Sequence, residues 1–117
     1  MCNESDLDRL RFCLEKISDI EEYLNRYPDA KSLVSDKMGL DAALMCILQI
    51  GEALSGLKEP EMTSRLPIRG IKGMRNIIAH RYHVVSPLLI AESIKTELPE
   101  LKQTIQQILE KSTKSSA

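Results

Sequence analysis

A chain of 117 residues with a formal net charge of -1 is one domain's worth of sequence, and it lacks the basic excess of a histone-like or polybasic nucleic-acid binder. Aromatic residues make up 3% and Trp is missing, which removes the stacking platforms of OB-type and RRM-type single-strand binders. Any contact with nucleic acid must then come from a local cluster, and a domain of this size gains from pairing with a second copy, so a homodimer is the expected unit.

The three cysteines, Cys2, Cys13 and Cys46, are odd in number and widely spaced, which fits neither a disulfide framework nor a paired metal site. They are expected as reduced thiols, with Cys46 in the core and Cys2 at the terminus; no metal and no cofactor are expected. No charged-then-apolar leader and no run of 18 or more apolar residues is present, so the expectation is a cytoplasmic protein that does not cross a membrane.

Apolar residues recur at helical spacing and nowhere alternate as in strands, so the predicted class is all-α. Ser5-Asp6-Leu7-Asp8 opens a first helix whose buried stripe is Leu7, Leu10, Leu14, Ile17, Ile20 and Leu24, with Pro28 ending it by about Tyr27. A second helix from Asp36 to Leu57 carries Leu40, Leu44, Ile47, Leu48, Ala53 and Leu54 and is expected to be central. Between Gly56 and Gly70, Pro60 and Pro67 break the pattern into a loop with room for one short helical turn. A third helix is predicted over Arg69 to His80. Ser86-Pro87 then supplies an N-cap and a first-turn proline for the last helix, which Pro99 should kink or restart. Leu88, Leu89, Ile94, Leu98, Leu101, Ile105 and Leu109 should face inward along it. Residues 1 to 117 thus read as one domain, with residues 112 to 117 expected to fray.

The stretch Met74-Arg75-Asn76-Ile77-Ile78-Ala79-His80-Arg81-Tyr82 gathers a guanidinium, an amide, an imidazole and a phenol. RNA hydrolysis without a metal needs such groups: a base for the 2′-hydroxyl, an acid for the leaving 5′-oxygen, and positive donors for the phosphate charge. Imidazole exchanges protons near neutrality, and the guanidinium fork clamps phosphate as lysine does not. On a helical projection Ile71, Met74, Ile77 and Ile78 share an apolar arc. Arg69, Lys72, Asn76 and His80 share the other. Arg69, Lys72 and Arg81 read as solvated charges or, by their position, as the candidates for steering RNA phosphate. Asn76 and His80 are four apart and neighbours, whereas Arg75 and His80, five apart, stand about 140° around the helix. Three routes remain open: the arginine stem bends round, the helix loosens before His80, or a second protomer completes the site. Glu52 is either a partner of Arg75 or a solvated charge, and its apolar neighbours Ile50, Ala53 and Leu54 favour the partner. His83 lies outside the pattern.

Written out, the motif is R-x4-H-x-Y, and it resembles the signature of the HEPN superfamily, specifically its HepT-like branch. Gln49-Ile50-Gly51-Glu52-Ala53-Leu54, Ile71-Lys72-Gly73-Met74-Arg75-Asn76 and Glu97-Leu98-Pro99-Glu100-Leu101 are similar to further segments of that family; Ile68 stands where the family often has an aromatic. The resemblance implies an up-and-down bundle of four to five helices that dimerises. It also implies a ribonuclease toxin using Arg75, Asn76 and His80, and a partner, an MntA-like nucleotidyltransferase antitoxin, that transfers AMP onto Tyr82. A non-catalytic helical module that binds the nucleotidyltransferase or a nucleotide is the rival reading. On spacing alone, Arg75 and His80 also fit an ordinary ion pair and a helix-terminal histidine.

Overall fold

The computed structural model describes residues 4 to 67 and 69 to 116, without the side chains of Arg69, Met74, Arg81, Tyr82 and residues 113 to 116. The described residues form six α-helices and no strand: α1 (Glu4–Leu24), α2 (Ala30–Ser35), α3 (Lys37–Ser55), α4 (Pro60–Arg65), α5 (Arg69–Arg81) and α6 (Pro87–Ser116), with a 3-10 turn at Tyr82–Val84 between the last two. The all-α class is as expected, but the helices number six and not four to five, because two short ones, α2 and α4, stand beside the four long ones.

Helix α1 lies antiparallel to α3. The Cys13 thiol reaches the Ile50 carbonyl at 3.9 Å, and one turn from the start of α1 the Asp6 carboxylate accepts the backbone N–H groups of Lys58 and Glu59, both at 2.9 Å. Asp6 is fully buried, so the carboxylate that reads as a first-turn charge is in fact the tie between α1 and the chain leaving α3. Leu7, Leu10, Ile17 and Ile20 are buried, while Leu14 and Leu24 pack at the margin of the core. The helix stops at Leu24, earlier than Tyr27, because the chain tightens into a turn in which Asn25, Arg26 and Tyr27 donate to carbonyls of the last turn.

A helix not expected follows. Asp29, extended at the N-cap, accepts the Ser32 N–H at 2.8 Å and starts α2, whose Ala30, Leu33 and Val34 are buried. Helix α3 is the centre, with α1, α2 and α5 all packed on it. Its Ala43, Leu44, Cys46, Ile47, Ile50, Ala53 and Leu54 are buried, each large apolar side chain contributing about 1.5 to 3 kcal/mol by leaving water. It is also the one described helix long and apolar enough to cross a membrane, at a mean hydropathy of 1.3, with 50% of that window buried inside the bundle. Helix α4 is the short turn anticipated after Pro60.

Ser86 starts α6 as the sequence indicates, its hydroxyl accepting the Leu89 N–H at 3.4 Å and its carbonyl the Ile90 N–H at 3.2 Å. The helix runs unbroken through Pro99. That ring removes only one N–H from the ladder, and Leu98 and Leu101 on either side are buried against the rest of the bundle. Ile94, Leu98, Leu101 and Ile105 are buried as expected and Leu109 is partly so. Leu88 and Leu89, at 62% and 48% exposed, point to solvent instead. Along α6 burial begins only at Ile90.

Candidate active site

Helix α5 packs on α3 through Ile71 and Ile78, both buried. Ile77 belongs to the same predicted arc but is 39% exposed, so the packed stripe is narrower than the projection suggests. Between Ile71 and Ile78 stands Arg75, and its seat is Gly51 of α3. A Cβ built on Gly51 would lie 2.4 Å from Arg75 Cβ and 2.6 Å from Cγ. Only a residue without a side chain lets the two helices approach this closely, and the arginine stem fills the notch.

The guanidinium is then held from two sides. Nη1 donates to the Asn76 side-chain oxygen at 2.8 Å, and Glu52 Oε1 stands 3.6 Å from Nε. The latter is beyond hydrogen-bond reach, so Glu52 acts on Arg75 as a nearby charge and Nε stays buried without a hydrogen bond. Glu52 is therefore the partner, although at 59% exposed its carboxylate is a surface group despite its apolar neighbours in sequence. The Arg75 side chain is 22% exposed, leaving part of its fork available to an anion.

Helix α5 is continuous from Arg69 through Arg81, so it does not loosen before His80; the change to 3-10 geometry comes at Tyr82. Arg75 and His80 thus keep their separation of about 140° around one continuous helix. His80 is exposed, and among the described residues it forms no hydrogen bond or ion pair. The Asn76 side-chain oxygen is taken by Arg75. Lys72, one turn before Asn76, is half-buried. The side chains of Arg69, Arg81 and Tyr82 lie outside the described residues; their backbones open α5, close it, and open the 3-10 turn. No three His, Cys, Asp or Glu side chains converge among the described residues.

Cysteine chemistry has no place here. Burial pushes the Cys13 thiol up to about 12 and raises that of Cys46 as well, so both are neutral core thiols. Cys2 lies outside the described residues.

Compared with known families, residues 13–108 match the family described as "Ribonuclease HepT-like". The chain belongs to this family. A relative from Caldanaerobacter subterraneus subsp. tengcongensis, carrying the name "Putative RNase", is 30% identical over 92% of this chain and 91% of its own length. Another of that name from Methanocaldococcus jannaschii is 26% identical over 84% of this chain and 88% of its own. A longer protein of the same organism, named "Gamma-glutamylcyclotransferase and putative RNase", is 32% identical over 91% of this chain and 48% of its own. No solved structure matches the chain.

Within this HepT-like chain, Gly51 is the site residue that its role in sequence does not announce. It falls in the Gln49-to-Leu54 segment that is similar to the family, but nothing in its neighbours says that a residue 24 positions away rests on it. The usable signal is a glycine in the apolar middle of a long helix, which costs about 1 kcal/mol against Ala and so calls for a packing reason.

Proposed function

We propose that the chain is the toxin of a toxin–antitoxin pair, a homodimeric, metal-independent endoribonuclease that cuts tRNA or mRNA with Arg75, Asn76 and His80. The observation that carries this reading is the held guanidinium, tied to Asn76 with Glu52 beside it, on the same helix as an exposed imidazole. In the reaction, the 2′-hydroxyl loses its proton to a base and attacks the adjacent phosphorus. The P–O5′ bond breaks as an acid protonates the leaving oxygen. A 2′,3′-cyclic phosphate and a 5′-hydroxyl end result. Arg75 neutralises the charge that builds on the phosphoryl oxygens, and Asn76 fixes the plane of its fork.

Because α5 is continuous between Arg75 and His80, a cleft lined by the motif of two copies brings the groups together better than one copy does. Two His80 side chains across such an axis divide the base and acid roles. Lys72, Arg69 and Arg81 steer the strand. Control falls to Tyr82, two residues past His80: a nucleotidyltransferase partner joins the phenol oxygen to the α-phosphorus of ATP, and pyrophosphate leaves. The added phosphate places negative charge and bulk at the cleft.

The test is cleavage of a total tRNA pool in EDTA by purified protein whose intact mass excludes an added AMP, with His80→Ala in parallel. Cleavage that survives the chelator and is lost in the variant is expected. No cleavage by unmodified protein would rule out tRNA as the substrate and favour a binding module.

A further inference from the structure

Between α1 and α3 lies an open groove of 590 Å³ whose lining includes Asp8, Arg9, Phe12, Leu48, Gln49 and Glu52. That volume lies in the range of small-molecule sites. Its charges are unevenly matched. Asp8 is engaged by Arg11 at 2.8 Å, and Glu52 faces Arg75 at 3.6 Å. Arg9 has no ion pair among the described residues, and its Nε is buried without a hydrogen bond. The uncompensated charge of the groove is thus one guanidinium, which calls for an anion.

Arg9 and Arg75 are placed alike. The Arg9 guanidinium rests on Gly56, where a built Cβ would meet Cζ and Nη1 at 2.3 Å, as the Arg75 stem rests on Gly51. The two glycines are about 7.5 Å apart along the α3 axis. With Gly51 at zero, Glu52 lies about 100° and Gly56 about 140° around α3, so Glu52 stands between the two arginines. Glu52 lines the groove and also faces Arg75, so the groove borders the candidate active site. Phe12, 36% exposed, offers an aromatic surface there, with Lys16 Nζ 5.5 Å from its ring centroid, and Gln49 offers an amide.

We propose that this groove is a nucleotide subsite for single-stranded RNA. Arg9 binds the phosphate next to the one held by Arg75, and the attached base lies against Phe12 with the Gln49 amide at its edge. Aromatic contact and an amide at a base edge are the means by which unpaired bases are recognised. The assignment of the neighbouring phosphate to Arg75 rests on the ribonuclease reading above.

The experiment measures binding of a 5′-labelled 2′-O-methyl RNA tetramer, which cannot form the cyclic phosphate, to the full chain by fluorescence anisotropy over a salt series. Arg9→Gln should weaken binding about tenfold and reduce the logarithmic salt slope by about 0.7, the share of one phosphate on a single strand. Phe12→Ala should weaken it about tenfold without changing the slope, as a lost stacking contact does. Phe12 is a surface residue, so this second variant tests the groove even if Arg9→Gln melts early. Unchanged affinity in folded variants, no binding by the wild type, or AMP binding as tightly as the tetramer would overturn the proposal. Cleavage of ordinary RNA by wild type and His80→Ala is read alongside. Binding with these variant effects but no cleavage sinks the ribonuclease reading and supports the groove. Cleavage that depends on His80, with Arg9 and Phe12 inert, keeps the ribonuclease and sinks the groove.

Discussion

Two arginines rest on glycines, Gly51 within α3 and Gly56 at its C-cap, and the seats differ in which part of the arginine they hold. At Gly51 an added side chain would strike Arg75 Cβ and Cγ at 2.4 and 2.6 Å, whereas at Gly56 it would strike the tip of Arg9 at 2.3 Å. A Cβ moves only if its helix moves; a guanidinium swings aside on four rotatable bonds. The first seat therefore sets the spacing of α3 and α5, and the second sets only where a charge rests. Arg75 is built into the fold, and Arg9 is laid upon it.

The largest effect expected is on chemistry at the built-in seat. Arg75→Lys keeps the stem in the Gly51 notch and the positive charge near Glu52, but it loses the planar fork that Asn76 holds. RNA cleavage should fall about 100-fold or more, as when one transition-state donor is removed, with little change in melting temperature. Cleavage within a few-fold of wild type would show that charge alone suffices and that the Asn76 contact is incidental.

Next in size is the seat itself. Gly51→Val forces α5 away from α3 and should cost about 3 kcal/mol of stability, the upper part of the range for overpacking. For a domain of this length that lowers the melting temperature by roughly 10 °C. Gly56→Ala makes the opposite case. Gly56 caps α3 with φ -89 and ψ 0, a conformation open to any residue, so stability should change by less than about 0.5 kcal/mol. RNA binding should nonetheless weaken as the Arg9 tip is displaced. Equal losses of stability in the two variants would erase the distinction between the seats.

The same distinction explains what could be read from the residues. Apolar spacing found α1, α3, α5 and α6, because each buries a long stripe; it passed over α2, which has six residues and only Ala30, Leu33 and Val34 to bury, although Pro28-Asp29 is a serviceable start signal. Spacing also put Leu88, Leu89 and Ile77 inside, since periodicity gives a face but not how far the neighbouring helix extends. Around the site, Glu52 was identifiable as a partner of Arg75. The placement of Arg9 was not, because an arginine in the exposed series of α1 looks like any solvated charge until Gly56 and the groove are seen. Asp6 misleads for a related reason: an acid in a first turn suits the helix dipole, and only the fold shows it buried beneath the Lys58 and Glu59 N–H groups.

The smallest effect is expected at Asp29, which neither arginine seat involves. Its carboxylate accepts the Ser32 N–H at 2.8 Å, and this backbone bond, followed by the Ser32 hydroxyl, holds its pKa below the usual carboxylate range. A depressed carboxyl adds stability above its unfolded pKa and loses it as pH falls through the lower folded value. Asp29→Ala should therefore melt a few degrees below wild type near neutrality, an effect on the order of one lost N-cap, and the gap should close in acid, below the usual carboxylate range, as the wild-type carboxyl protonates. Thermal melts of both proteins from neutrality into acid check the sign, and a gap that widens in acid would contradict it. Because α2 packs on α3 and α6 and has no place in the Arg75 notch, cleavage per folded molecule should stay at the wild-type level. A loss of cleavage in folded Asp29→Ala would mean that the α2 cap reaches the site through α3, and that the site is joined to the fold at more than Gly51.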